Sequence, residues 1–109
     1  RDLKVSSHFL IDRPGKIYQF VSVYDRAWHA GVSLFNNQVN CNNFSLGIEL
    51  MGSDNTYFED NQYVSLKSLI ETLRNIFPQI KKENVVGHSE IAPGRKTDPG
   101  PFFDWTKIR

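Results

Sequence analysis

A single cysteine, Cys41, excludes an intrachain disulfide framework, so stability in this 109-residue chain has to come from packing or a metal. One cysteine is compatible with a reducing compartment. Excess charge of either sign is also missing: 13 Lys and Arg face 12 Asp and Glu, and no block of like charge occurs. That excludes a nucleic-acid or membrane partner held mainly by charge. No apolar run approaches the ~20 residues needed to span a bilayer, and no signal peptide opens the chain. Internal repeats, low-complexity linkers and a glycine-rich phosphate loop are absent too. The chain begins at Arg1 rather than Met and runs at once into strand-like pattern, so a missing N-terminal part is expected.

What remains is an ordinary globular composition, 39% hydrophobic and 13% aromatic, of a length that makes one domain near the lower end of a self-sufficient core. Val5 to Ile11, rich in β-branched and aromatic residues, reads as a strand. Arg13-Pro14-Gly15-Lys16 places Pro and Gly at the two centres of a type II turn. Lys16 to Val23 alternates as a second strand, giving an antiparallel hairpin. Asp25 to Phe44 shows no period and reads as a long surface loop. Leu46 to Met51 is a short apolar run holding one acid, read as a buried strand. The period then changes. Tyr63, Leu66, Leu69, Ile70, Leu73, Ile76 and Phe77 form the stripe of an amphipathic helix that Glu59 or Asp60 caps, with Gln62 near its third position, and that Pro78 stops. Val85-Val86-Gly87 reads as the end of another strand, His88 to Pro101 as an irregular loop, and Asp104 as the cap of a last short helix with Trp105 and Ile108. A strand-helix-strand unit favours a parallel pair. The fold class expected is α/β, a mixed central β-sheet with helices packed on it.

The densest chemical signal is the loop Gly87-His88-Ser89-Glu90-Ile91-Ala92-Pro93-Gly94-Arg95-Lys96-Thr97-Asp98-Pro99-Gly100-Pro101. It places a histidine at a strand end and an aspartate on a proline-stiffened loop, two good zinc donors by residue type. The plainer account of the same pair is a structural hydrogen bond. Lys96 is placed to bring an ammonium toward a developing oxyanion. Glu49, inside an apolar strand, is either a solvent-facing glutamate or a carboxylate held in a cleft for proton transfer. Trp28, in Arg26-Ala27-Trp28-His29-Ala30-Gly31, suits stacking on a ligand and equally suits closing a core. His8, between Ser7 and Phe9, fits a satisfied core histidine, and Cys41 among asparagines has no basic partner to activate it.

Taken together, Val5 to Ile11, the RAWHAG stretch, Cys41 to Leu50 and the GHSEIAPGRKTDPGP loop resemble, in the same order, the AmpD-type amidases. These are type 2 N-acetylmuramyl-L-alanine amidases, related to phage T7 lysozyme and the peptidoglycan recognition proteins. The resemblance covers essentially the whole chain. It implies that His88 and Asp98 are two of three protein ligands to Zn2+, that Glu49 is the acid/base, and that Lys96 stabilises the oxyanion. It places Trp28, Lys4, Phe35 and Ala92 at the substrate. It further implies hydrolysis of the amide between the lactyl group of N-acetylmuramic acid, in its 1,6-anhydro form, and L-alanine, during peptidoglycan recycling in the cytoplasm.

In that family the first zinc histidine lies on a strand upstream of the segment that opens this chain, and neither His8 nor His29 takes its place. Residues 1–109 are therefore expected to be a single amidase catalytic domain missing its N-terminal strand and helix. The expected partner is a muropeptide, with no nucleic acid and no membrane, and the expected state a monomer. Asn40 stands where close relatives often carry a basic residue. Two other readings come from the same residues: a non-catalytic peptidoglycan-binding module, which has no need of Glu49 or Lys96, and a periplasmic or secreted amidase of the same superfamily.

Overall fold

The computed structural model describes residues 7–24, 34–35, 38–39, 45–53, 56–91 and 98–108, with 34–35 and 38–39 described by their backbone. Strand β1 (Phe9–Ile11) lies between β2 (Ile17–Gln19) and β5 (Ile48–Leu50). The β1/β2 pair is antiparallel, with Leu10 opposite Tyr18, and the β1/β5 pair is parallel, with Leu10 opposite Glu49. The sheet is mixed, as expected. Strands β3 (Leu34–Phe35) and β4 (Gln38–Val39) make a separate antiparallel pair inside the stretch read as loop.

The hairpin turn is shifted by one residue from its expected place. The Gly15 N–H donates to the Asp12 carbonyl at 3.0 Å, so Arg13 and Pro14 take the central positions. Asp12 wins the register because its Oδ1 also accepts the Lys16 N–H at 2.7 Å, a local side-chain bond that backbone pattern alone does not reveal. Gly15 then follows the turn at φ +97°, and a Cβ there would lie 2.7 Å from the Asn61 carbonyl oxygen.

Helix α1 (Asp60–Ile76) buries Tyr63, Leu66, Leu69, Ile70 and Leu73, the expected stripe, against Phe9 and Ile11 of β1 and against Phe103 and Ile108. Fully burying such side chains stabilises by roughly 1.5–3 kcal/mol each. Ile76 departs from the stripe. It is exposed at the last turn, where the Phe77 N–H donates to the Leu73 carbonyl at 2.8 Å ahead of Pro78. At the other end Glu59 is the N-cap, and its N–H donates to Gln62 Oε1 at 2.9 Å. The Gln62 Nε2, fully buried, donates to the carbonyls of Met51 (2.9 Å) and Ile11 (3.4 Å). One side chain thus ties the start of α1 to the ends of β1 and β5.

The strand expected at Val85–Gly87 does not join a sheet among the described residues. Val85 is extended (φ −93°, ψ 106°) after a 3-10 turn at Lys82–Asn84. A short apolar run becomes a strand only when a partner supplies its ladder, and the parallel pair is β1/β5 instead. The run Leu46–Met51 shortens to β5 and is half-buried rather than buried, because β5 is an edge of the described sheet. His88–Ile91, read as irregular, forms a one-turn helix, α2.

The last turn, Trp105–Lys107, is 3-10 and is capped by Asp104 as expected, whose Oδ1 accepts from the Thr106 N–H at 3.1 Å. The Thr106 hydroxyl on the same oxygen holds the Asp104 carboxyl below its ordinary range. An Asp104 N–H to Tyr63 hydroxyl bond (3.0 Å) and a Lys107–Asp60 ion pair (3.1 Å) seat this segment on α1, and Asp60 raises the Lys107 ammonium. No described helix is long and apolar enough to cross a membrane.

Candidate active site

The structure brings His88 and Asp98 together. His88 Nδ1 lies 2.5 Å from Asp98 Oδ2, ten residues on, with 18% of the histidine side chain and 49% of the aspartate side chain exposed. That is a direct hydrogen-bond contact, too close for an ion to lie between the two atoms, while by residue type the imidazole and the carboxylate are both zinc-type donors. Among the described residues no third His, Cys, Asp or Glu completes a cluster with them.

Local backbone explains the convergence. The first residue of α2 presents His88, and the Ser89 N–H donates to the Asp98 carbonyl at 3.1 Å, clamping the main chain of the aspartate. Gly87 closes the other side. A Cβ on Gly87 would stand 2.6 Å from Pro99 Cδ and 3.2 Å from the Asp98 carbonyl oxygen, so the 98–99 segment packs where a side chain would be. Three consecutive residues therefore hold Asp98 by packing, by side chain and by backbone. Sequence reasoning named the pair and missed Gly87 and Ser89. The glycine immediately before the histidine was the available signal.

Glu49 sits in the middle of β5 and is exposed, while Ile48 and Leu50 on either side are half-buried, as strand alternation dictates. Its Oε2 is 3.5 Å from the hydroxyl of Ser7, a residue that the sequence pattern did not single out. His8 is a core histidine, fully buried, whose Nδ1 accepts the Gly47 N–H at 3.1 Å. Phe35 belongs to β3, described by its backbone alone. Lys4, Trp28, Ala92 and Lys96, and with them Cys41, lie outside the described residues.

Residues 1–101 match the family model described as N-acetylmuramoyl-L-alanine amidase, Amidase_2. The chain belongs to this family. It is 50% identical over 105 residues to the 1,6-anhydro-N-acetylmuramyl-L-alanine amidase AmpD of Haemophilus influenzae, covering 96% of this chain and 57% of that protein. It superposes on the crystal structure of a selenomethionine derivative of AmpD with a TM-score of 0.92 at 49% identity, over 97% of this chain and 59% of the other. The N-acetylmuramyl-L-alanine amidase AmiD from Escherichia coli, solved with the substrate anhydro-N-acetylmuramic acid-L-Ala-D-gamma-Glu-L-Lys, superposes with a TM-score of 0.86 at 36% identity, over 98% and 48%. The chain thus spans a little over half the length of the AmpD relatives it matches.

Proposed function

We propose that the full-length protein is a zinc-dependent amidase that cleaves the bond between the lactyl group of 1,6-anhydro-N-acetylmuramic acid and L-alanine in muropeptides. The observation that carries this reading is the His88/Asp98 donor pair, held by backbone within the segment that matches the amidase family. Similarity to AmpD and to the substrate-bound AmiD supports the bond and the anhydro-sugar.

His88 and Asp98 hold the metal in this reading. A catalytic zinc site takes three protein ligands and leaves a position open, so a third donor is proposed to come from outside residues 1–109, on an N-terminal strand. When bound, zinc supplies Lewis acidity that polarises the scissile carbonyl and eases deprotonation of water. Glu49 takes the proton from the attacking water and passes it to the leaving alanine nitrogen. Lys96 faces the developing oxyanion. Trp28, Lys4, Phe35 and Ala92 line the substrate. The protein is proposed to act as a monomer in the cytoplasm, during peptidoglycan recycling, on soluble fragments.

The test is incubation of the full-length protein with anhydro-N-acetylmuramyl-tripeptide, with products identified by mass spectrometry. Release of free tripeptide and anhydro-sugar is expected, lost on exhaustive chelation and restored by zinc. Full activity after chelation overturns the reading.

Gly87→Ala provides a second check. The added methyl has to displace Pro99 and the Asp98 main chain, so zinc affinity should fall roughly 10–100-fold, the range seen when groups that orient metal ligands are altered. Competitive zinc titration measures it; unchanged affinity would show that the 98–99 segment does not set the donor geometry.

A further inference from the structure

We propose that Ser7 is a positioning residue for Glu49, a proton-state partner that serves the carboxylate both before and after it accepts a proton. The inference rests on the reading of Glu49 as the acid/base. Ser7 is 2% exposed, so no bulk water competes for its hydroxyl. Its Oγ donates to the Phe9 carbonyl at 2.9 Å and stands 3.5 Å from Glu49 Oε2. A hydroxyl has one hydrogen and two lone pairs, so rotation about Cβ–Oγ redirects its donor, and a small swing of the exposed Glu49 side chain closes the 3.5 Å gap to bonding distance.

Two acceptors around one donor suit a base whose charge alternates. While Glu49 is ionised and swung in to bonding distance, donation toward it is charge-assisted, and such bonds are about twice as strong as neutral ones. Once Glu49 has taken a proton from water, its own O–H donates to Ser7 Oγ, and the Ser7 hydrogen turns to the Phe9 carbonyl. The proton count balances: one proton enters at Glu49, and Ser7 keeps its own throughout. When Glu49 hands the proton to the leaving nitrogen, the hydroxyl turns back.

The backbone fixes the distance over which this works. The His8 and Phe9 N–H groups both donate to the Gly47 carbonyl (2.9 and 3.1 Å), and the Gly47 N–H donates to His8 Nδ1 (3.1 Å). Ser7 is therefore locked one residue from His8, and Glu49 two residues from Gly47, on the two sides of a three-bond clamp. On the neighbouring strand segment, residues 7–11, His8 is the titratable side chain, and its Nδ1 is engaged by that clamp.

The experiment uses the full-length zinc enzyme in five forms: wild type, Ser7→Ala, Ser7→Cys, Glu49→Gln and the Ser7→Ala/Glu49→Gln double variant. Cysteine keeps the volume but donates weakly, which guards against a packing effect of alanine. Both Ser7 variants should lose roughly 3–10-fold in kcat, the range of an ordinary intramolecular hydrogen bond, with KM and zinc content unchanged. In the Glu49→Gln background the Ser7→Ala change should cost nothing further, since coupled residues are non-additive. Wild-type kcat in Ser7→Cys, or the same fold loss in both backgrounds, overturns the role of Ser7 while leaving the amidase reading intact. An active wild type beside a fully active Glu49→Gln removes the acid/base assignment and the Ser7 role with it. A wild type that releases no peptide overturns the amidase reading itself.

Discussion

Replacing Glu49, the proposed acid/base, with glutamine in the full-length protein is expected to lower kcat by about 10²–10⁴-fold, the range of a positioned general acid/base, while zinc content stays at the wild-type level. The amide is nearly isosteric with the carboxylate and cannot take the proton. Glu49 is exposed on β5 between half-buried neighbours, so the change removes chemistry without opening a cavity. Turnover of the anhydro-muropeptide measures the loss and metal analysis measures the zinc. Zinc lost along with activity would make Glu49 a ligand instead. Retained turnover would return it to the solvent-facing glutamate that most such strand positions carry.

The largest expected effect on stability is at Gln62, a fully buried residue outside the proposed catalytic set. Its amide is fully buried and makes three bonds: from the Glu59 N–H, and to the carbonyls of Met51 and Ile11. Gln62→Leu keeps the size and removes all three. The Ile11 carbonyl still receives the Met51 N–H at 2.8 Å, and Met51 is 46% exposed, so water replaces part of what is lost. The Glu59 N–H, at the helix N-terminus, loses its side-chain acceptor. A loss of about 2–3 kcal/mol is expected from unsatisfied buried groups of this kind. Urea denaturation of the full-length protein should show it as a lower midpoint at unchanged slope. Gln19→Leu is the control, because Gln19 is exposed on β2, where its Nε2 donates to the Val21 carbonyl at 3.2 Å. Equal midpoints for the two variants would refute the view that Gln62 ties α1 to the sheet.

How much of this could be read from the residues follows from the range of each signal. The amphipathic stripe of α1, the Glu59/Gln62 start, the Pro78 stop and the Asp104 cap were all legible, because each is a relation between residues within a turn or two of one another. The hairpin was legible too, though its turn moved by one residue when Asp12 took the Lys16 N–H. The β3/β4 pair was not, since two-residue strands are too short to show a period.

At the site, residue type and spacing singled out His88 and Asp98 but left a structural hydrogen bond as a full alternative, and resemblance to the amidases favoured metal binding. Chain order by itself determined an α/β domain with one long amphipathic helix and a loop rich in zinc-type donors. Tertiary structure decided which extended runs pair, β1 with β5 rather than Leu46–Met51 with Val85–Gly87. It also decided that Glu49 lies within reach of Ser7, 42 positions earlier, and that Gly87 and Ser89 close on Asp98. The physical reason is the same in each case. Periodicity and caps are written in neighbouring residues, whereas a ladder partner, a close approach at a glycine or a shared hydrogen acceptor exists only once distant segments have packed.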